Sequence, residues 1–71
     1  MTDVAITTEF IKLEAALKLC NACATGGEAK NRILFGDVTV NGQVCTQRGR
    51  KLREGDVFAC GGQEYRIYGA E

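Results

Sequence analysis

The chain has no histidine, no tryptophan and no proline among its 71 residues. The missing histidine removes the commonest general base and the commonest metal ligand. Aromatic residues are scarce, with three phenylalanines and two tyrosines. No apolar run approaches the ~20 residues that a membrane span needs. The opening Met1-Thr2-Asp3-Val4 lacks the basic start and apolar stretch of a secretory signal. A cytoplasmic protein without membrane contact is the expectation. Net charge is absent too, nine basic residues standing against nine acidic ones.

What is present is ordinary for a globular domain: 45% hydrophobic and 25% charged residues, a balance that argues against disorder. A chain of this length hides about 60% of its unfolded surface. That suffices for one modest core, so residues 1–71 are expected to form a single domain. So small a core rarely encloses a catalytic cleft. A binding module, not an enzyme, is expected, with no cofactor.

The neutral total conceals an uneven distribution. Residues 1–29 are slightly acidic, with Lys12 and Lys18 against Asp3, Glu9, Glu14 and Glu28. Residues 30–53 hold Lys30, Arg32, Arg48, Arg50, Lys51 and Arg53 against Asp37 alone. Residues 54–71 turn acidic again through Glu54, Asp56, Glu64 and Glu71. A basic middle of this kind suits an anionic partner.

Val4-Ala5-Ile6 reads as a short strand. Thr8 is placed as a helix N-cap, with Glu9 in the first turn. Phe10, Leu13, Leu17, Cys20 and Ala24 then repeat at helical spacing, which predicts a helix up to Ala24. Ile11, Ala15, Leu19 and Ala22 form a second apolar stripe on it, a candidate contact for a protein partner. Thr25 and Glu28 have the spacing of a capping box and restart a short helix with Ala29 and Ile33 inward. Gly36 ends that helix. Val38-Thr39-Val40 alternates as a strand, and Asn41-Gly42 is a strong hairpin signal into Gln43–Thr46. Gln47 to Arg53 is a basic connection. Glu54-Gly55-Asp56 is a turn, Val57–Cys60 a strand, and Gly61-Gly62 a second tight turn into Glu64–Tyr68. The fold class is α+β: two N-terminal helices packed on a small, mainly antiparallel sheet of short strands.

Cys20, Cys23, Cys45 and Cys60 raise a metal or redox alternative. Cys20 and Cys23 form a CxxC, but Cys45 and Cys60 are not a second close pair. The CxxC falls at the end of a helix, whereas redox pairs use the N-terminus. Buried, idle thiols and no metal site are the expectation.

Several motifs together resemble the RNA-binding domain named after the small-subunit ribosomal protein S-four, built on the alpha-L motif. Lys12-Leu13-Glu14 stands where that family opens its first helix with Arg-Leu-Asp. Leu17 follows at a leucine position. Ala29-Lys30, Ile33 and Gly36 match its second helix. Gly36-Asp37-Val38-Thr39-Val40-Asn41-Gly42 completes its Gly-x-Val-x-Val-Asn-Gly signature. The match is densest over residues 12–42 and continues as a basic extension over 43–56. Gly26 departs from the arginine that many members carry there. The Thr25–Lys30 run and the later Arg48-Gly49-Arg50-Lys51 resemble the short stand-alone bacterial members.

The resemblance implies the alpha-L fold and non-catalytic recognition of structured RNA, ribosomal or transfer RNA. Ribosomal or RNA-processing proteins are further partners it allows. Lys12 corresponds to a family position on the first helix, and Lys30 projects to solvent from the second. Phosphate contacts need such cations or free amides on a rigid surface. The Gly26 and Gly27 amides at a helix N-terminus are candidates. So are Arg48, Arg50, Lys51 and Arg53, whose guanidinium forks suit phosphate oxygens. Asn41 reads as a turn residue. Phe10, Phe35 and Phe58 sit in apolar patterns and are expected in the core, leaving Tyr65 and Tyr68 as the exposed aromatics. Recognition of shape and backbone, not of single-stranded bases, is the corresponding expectation.

Overall fold

A computed structural model describes residues 1–70. Nine elements follow one another: β1 (Thr2–Ile6), β2 (Ile11–Lys12), α1 (Leu13–Leu19), α2 (Gly26–Leu34), β3 (Val38–Val40), β4 (Gln43–Val44), β5 (Lys51–Leu52), β6 (Val57–Cys60) and β7 (Gln63–Gly69). The helices therefore follow a strand and do not lead the chain. The main sheet has the order β1-β7-β6-β3-β4, and β2 pairs with β5 in a separate two-stranded ribbon. β1 runs parallel to β7, with Val4 opposite Ile67, while the other pairings are antiparallel. The sheet is thus mixed, because the first strand docks beside the last after the whole chain has crossed over.

The sheet buries one face. Val4, Ile6, Val38, Val40, Phe58, Cys60, Tyr65 and Ile67 alternate inward and meet Leu13, Ala16, Leu17, Ala29, Ile33 and Leu52. Their neighbours Asp3, Ala5, Glu64, Arg66 and Tyr68 are exposed, as the two-residue period of a strand requires. That period corrects one expectation. Tyr65 and Tyr68 are three residues apart, so they lie on opposite faces. Tyr65 is buried and stacks on Phe58 with centroids 5.1 Å apart.

The hairpin turns follow their residue types. Asn41 and Gly42 have φ of 51° and 85°, and Gly61 and Gly62 have 62° and 82°. Two successive positive values match the right-handed twist of the flanking strands. Asn41 is further fixed by its side chain. Its Nδ2 donates to Asp56 Oδ1 at 3.2 Å, and its Oδ1 accepts from the Val57 N–H at 3.0 Å. Asp56 Oδ2 also accepts from the Arg53 N–H at 2.8 Å. The Asn-Gly turn and the Gly-Asp turn are therefore clasped together.

The first helix is shorter than its periodicity predicts. Thr8 does not cap it; its hydroxyl donates to the Phe10 carbonyl at 2.8 Å. Ile11 and Lys12 are extended because they pair with Leu52 and Lys51. Lys12 is the N-cap residue and offers no side-chain cap. The helix stops at Leu19, with Cys20 as its C-cap and Asn21 at φ 63° beyond it. Asparagine tolerates that left-handed conformation and commonly closes helices in it. Two residues of the expected second stripe, Ile11 and Ala22, therefore lie outside the helix and pack against the core. Leu19 is the exposed member. No helix among the described residues is long and apolar enough to cross a membrane.

Candidate nucleic-acid interface

The N-terminus of α1 is closed from a distance. The Leu13 N–H donates to the Arg50 carbonyl at 2.8 Å, and the Glu14 N–H to the Arg48 carbonyl at 3.2 Å. Two of the four donors that a helix leaves open are thereby satisfied. The same bonds pin residues 48–50 against the start of the helix. The β2–β5 ribbon continues this attachment, and Leu52 at its end is fully buried. The basic connection is thus a clamped segment, not a free loop.

Clamping brings like charges together. Lys12 and Lys51 are direct cross-strand partners, an arrangement that costs stability unless something negative answers it. Lys51 is steadied by the Phe10 ring, its Nζ lying 4.8 Å from the centroid, a cation–π contact. Phe10 is accordingly half-buried and serves as a support for Lys51 at the edge of the core. Arg48 and Arg50 follow with exposed side chains. Arg53 differs, because its Nη1 pairs with Glu9 Oε1 at 3.3 Å. Both partners are exposed, so the pair is weak and open to exchange.

The second group gathers at the start of α2. Thr25 Oγ1 accepts from the Glu28 N–H at 3.2 Å, and the Thr25 carbonyl from the Ala29 N–H at 3.1 Å. No protein acceptor among the described residues takes the Gly26 or Gly27 N–H. Lys18 reaches this end of the helix, its Nζ 3.9 Å from where a Cβ on Gly26 would stand. An ammonium beside open amides suits an anion, although Glu28 in the first turn opposes it. Lys30 is exposed one residue past the buried Ala29. Arg32 is half-buried and turned away, its Nη1 donating to Cys60 Sγ at 3.7 Å.

The structure therefore brings Lys12, Lys51, Arg48 and Arg50 into one clamped segment. It leaves Arg53 in an ion pair and sets Lys30, Gly26 and Gly27 on the second helix. The cysteines show no comparable arrangement. All four are free, and among the described residues no three metal-ligating side chains converge. Burial pushes the Cys20 and Cys23 thiols up, away from the thiolate that reactive or ligating cysteines need.

One exposed aromatic escaped the sequence pattern. Phe35, expected in the core, is 79% exposed. It is the C-cap of α2, two residues past the buried Ile33. Two residues rotate about 200° around a helix, so Phe35 faces away from the core. The spacing carried that signal, but the apolar run around Phe35 masked it.

Residues 4–68 match the family model for the S4 domain, and the chain belongs to that family. A relative from Bacillus subtilis (strain 168) is 43% identical over 54 residues, 76% of each chain, and is named "Probable ribosome maturation protein RlbA".

Proposed function

We propose that this protein binds structured RNA, ribosomal RNA foremost, and acts on it by binding alone, in the cytoplasm and in company with the ribosome or its assembly. The observation that carries this reading is the clamped basic segment. Lys12 and Lys51 stand opposite each other, and the backbone of Arg48 and Arg50 is fastened to the start of α1. Like charges held together on a rigid surface are best satisfied by a run of phosphates. The family supports the same direction, and so does the ribosome-maturation role in the name of the Bacillus relative. Lys30 and the Gly26–Gly27 amides with Lys18 extend the face onto the second helix. Arg53 joins it by exchanging Glu9 for a phosphate, since an exposed ion pair holds it only weakly.

No catalytic step is assigned. The chain has no histidine, and burial pushes the Cys20 and Cys23 thiols up. A zero net charge limits long-range attraction, so affinity rests on the local face and on assembly with other ribosomal components.

The test is a salt titration of binding to folded ribosomal RNA fragments, comparing the wild type with a Lys12→Glu, Lys30→Glu double variant. Four or five neutralised phosphates give a slope of log affinity against log salt of about −3 to −4.5. The expected result is that slope in the wild type and its loss in the variant. Binding that ignores both salt and charge reversal would remove the RNA reading.

A further inference from the structure

We infer that the edge of the sheet beside β4 is a subsite for one unstacked nucleobase, with Phe35 as its stacking platform; this rests on the RNA reading above. The first observation is a cleft of about 270 Å³ between the β3–β4 hairpin and the basic segment, lined by Val40, Gln43, Val44, Cys45, Thr46, Gln47 and Arg50. Its size lies just under the roughly 300–1,000 Å³ of typical small-ligand sites, which suits a single base. Amide and hydroxyl side chains of the Gln43, Gln47 and Thr46 type can donate to and accept from the edge of a base, and Arg50 supplies a cation for its phosphate.

The second observation is independent of the first. Phe35 is 79% exposed and Val44 is 63% exposed, although apolar side chains of this size gain most from burial. The two are joined through Gly36. A Cβ on Gly36 would stand 3.6 Å from Cγ1 of Val44, and Val44 is also a wall of the cleft. Phe35 thus adjoins in the chain the glycine that lies against Val44, a wall of the polar cleft. Stacking on an aromatic ring is how proteins hold unpaired bases, and it tolerates any base.

Charge selects a nucleotide over an apolar protein segment as the occupant. Residues 43–53 contain Arg48, Arg50, Lys51 and Arg53 and no acidic residue. A second cleft, lined by Met1, Thr2, Gly62, Gln63 and Glu64, has no side-chain cation and no aromatic ring, so it lacks these features. Structured RNA offers such bases in bulges and loops. The reading changes the expected mode of recognition from backbone alone to backbone with one base held out of the stack.

The experiment uses two RNA hairpins, one with a single bulged adenosine and one fully paired. The wild type is expected to bind the bulged hairpin about tenfold more tightly, the scale of one stacked base. Phe35→Ala is expected to abolish that preference while leaving the salt slope unchanged. Phe35→Trp is expected to keep it. Because the chain has no other tryptophan, its emission should be quenched by the bulged hairpin and not by the paired one. Equal binding of both hairpins by the wild type overturns the subsite and spares the RNA reading. Binding of neither hairpin, in the wild type and at low salt, removes both. A preference that survives in Phe35→Ala, or a Phe35→Trp emission blind to the bulge, overturns the proposal.

Discussion

The two helices solve the same problem by opposite means. α2 is closed by its own flanks. Thr25 caps its start, and Gly36 at φ 80° closes its end, with the Gly36 N–H on the Ile33 carbonyl and the Asp37 N–H on the Arg32 carbonyl. That pair of bonds is the Schellman arrangement. α1 has no side-chain cap, and its first donors are taken by carbonyls of Arg50 and Arg48, more than thirty residues away in the chain. A helix of seven residues is too short to stand alone in water. It exists because the clamped segment and the core hold it. The difference bears on function. The closure of α1 is what brings the basic segment into place, so folding of α1 and assembly of the cationic face are one event.

The strongest way to break this comparison is Leu52→Ala. Leu52 is fully buried and anchors β5 against Ile11. Its truncation should cost about 2–5 kcal/mol. Hydrogen exchange should show Leu13 and Glu14 losing protection before the α2 amides. Gly36→Ala acts on the other helix. A Cβ there meets Val44 at ordinary contact distance, so its cost is conformational, about 1–2 kcal/mol for the left-handed backbone. Denaturant midpoints would read it. Thr25→Ala should cost about 1 kcal/mol and speed exchange at Glu28, leaving Leu13 protected.

A further effect comes from pH. Burial raises the Cys20 and Cys23 thiols above their ordinary 9.0. The unfolded chain therefore gives up these protons first as pH rises. Stability from this source is present below that ordinary value of 9.0 and declines as pH climbs from there through the higher folded values. A melting-temperature profile should fall in that range, and Cys23→Ala should flatten the fall. The smallest stability effect belongs to Arg48→Ala and Arg50→Ala. Their carbonyls close α1, and truncation leaves the carbonyls in place. Stability should change by no more than about 0.5 kcal/mol, while RNA affinity weakens and the salt slope loses about one unit per arginine.

The parts of the fold legible in the sequence are those decided by neighbours in the chain. Thr25 with Glu28, Gly36, Asn41-Gly42 and Gly61-Gly62 carry their conformations in their own residue types, and the structure has each turn or cap at its expected place. α1 is shorter than its sequence predicts: Phe10 to Ala24 keep helical periodicity, while pairing with Lys51–Leu52 draws Ile11 and Lys12 into a strand. Asn21 was the available stop signal. Phe35 is exposed and Tyr65 buried, the reverse of what the apolar pattern predicts, because the element boundary decides which way each side chain faces.

For the candidate site, the sequence by itself supplied the cations and the family motif that runs from Lys12 to Gly42. Only the tertiary structure decided how they are grouped. It set Lys12 across from Lys51, tied Arg53 to Glu9, laid Lys51 over Phe10 and left Phe35 exposed. The physical reason is range. Turn and cap preferences arise from atoms a few bonds apart, which residue type determines. A cross-strand pair or a distant carbonyl cap arises from chain segments brought together by the burial of one shared core.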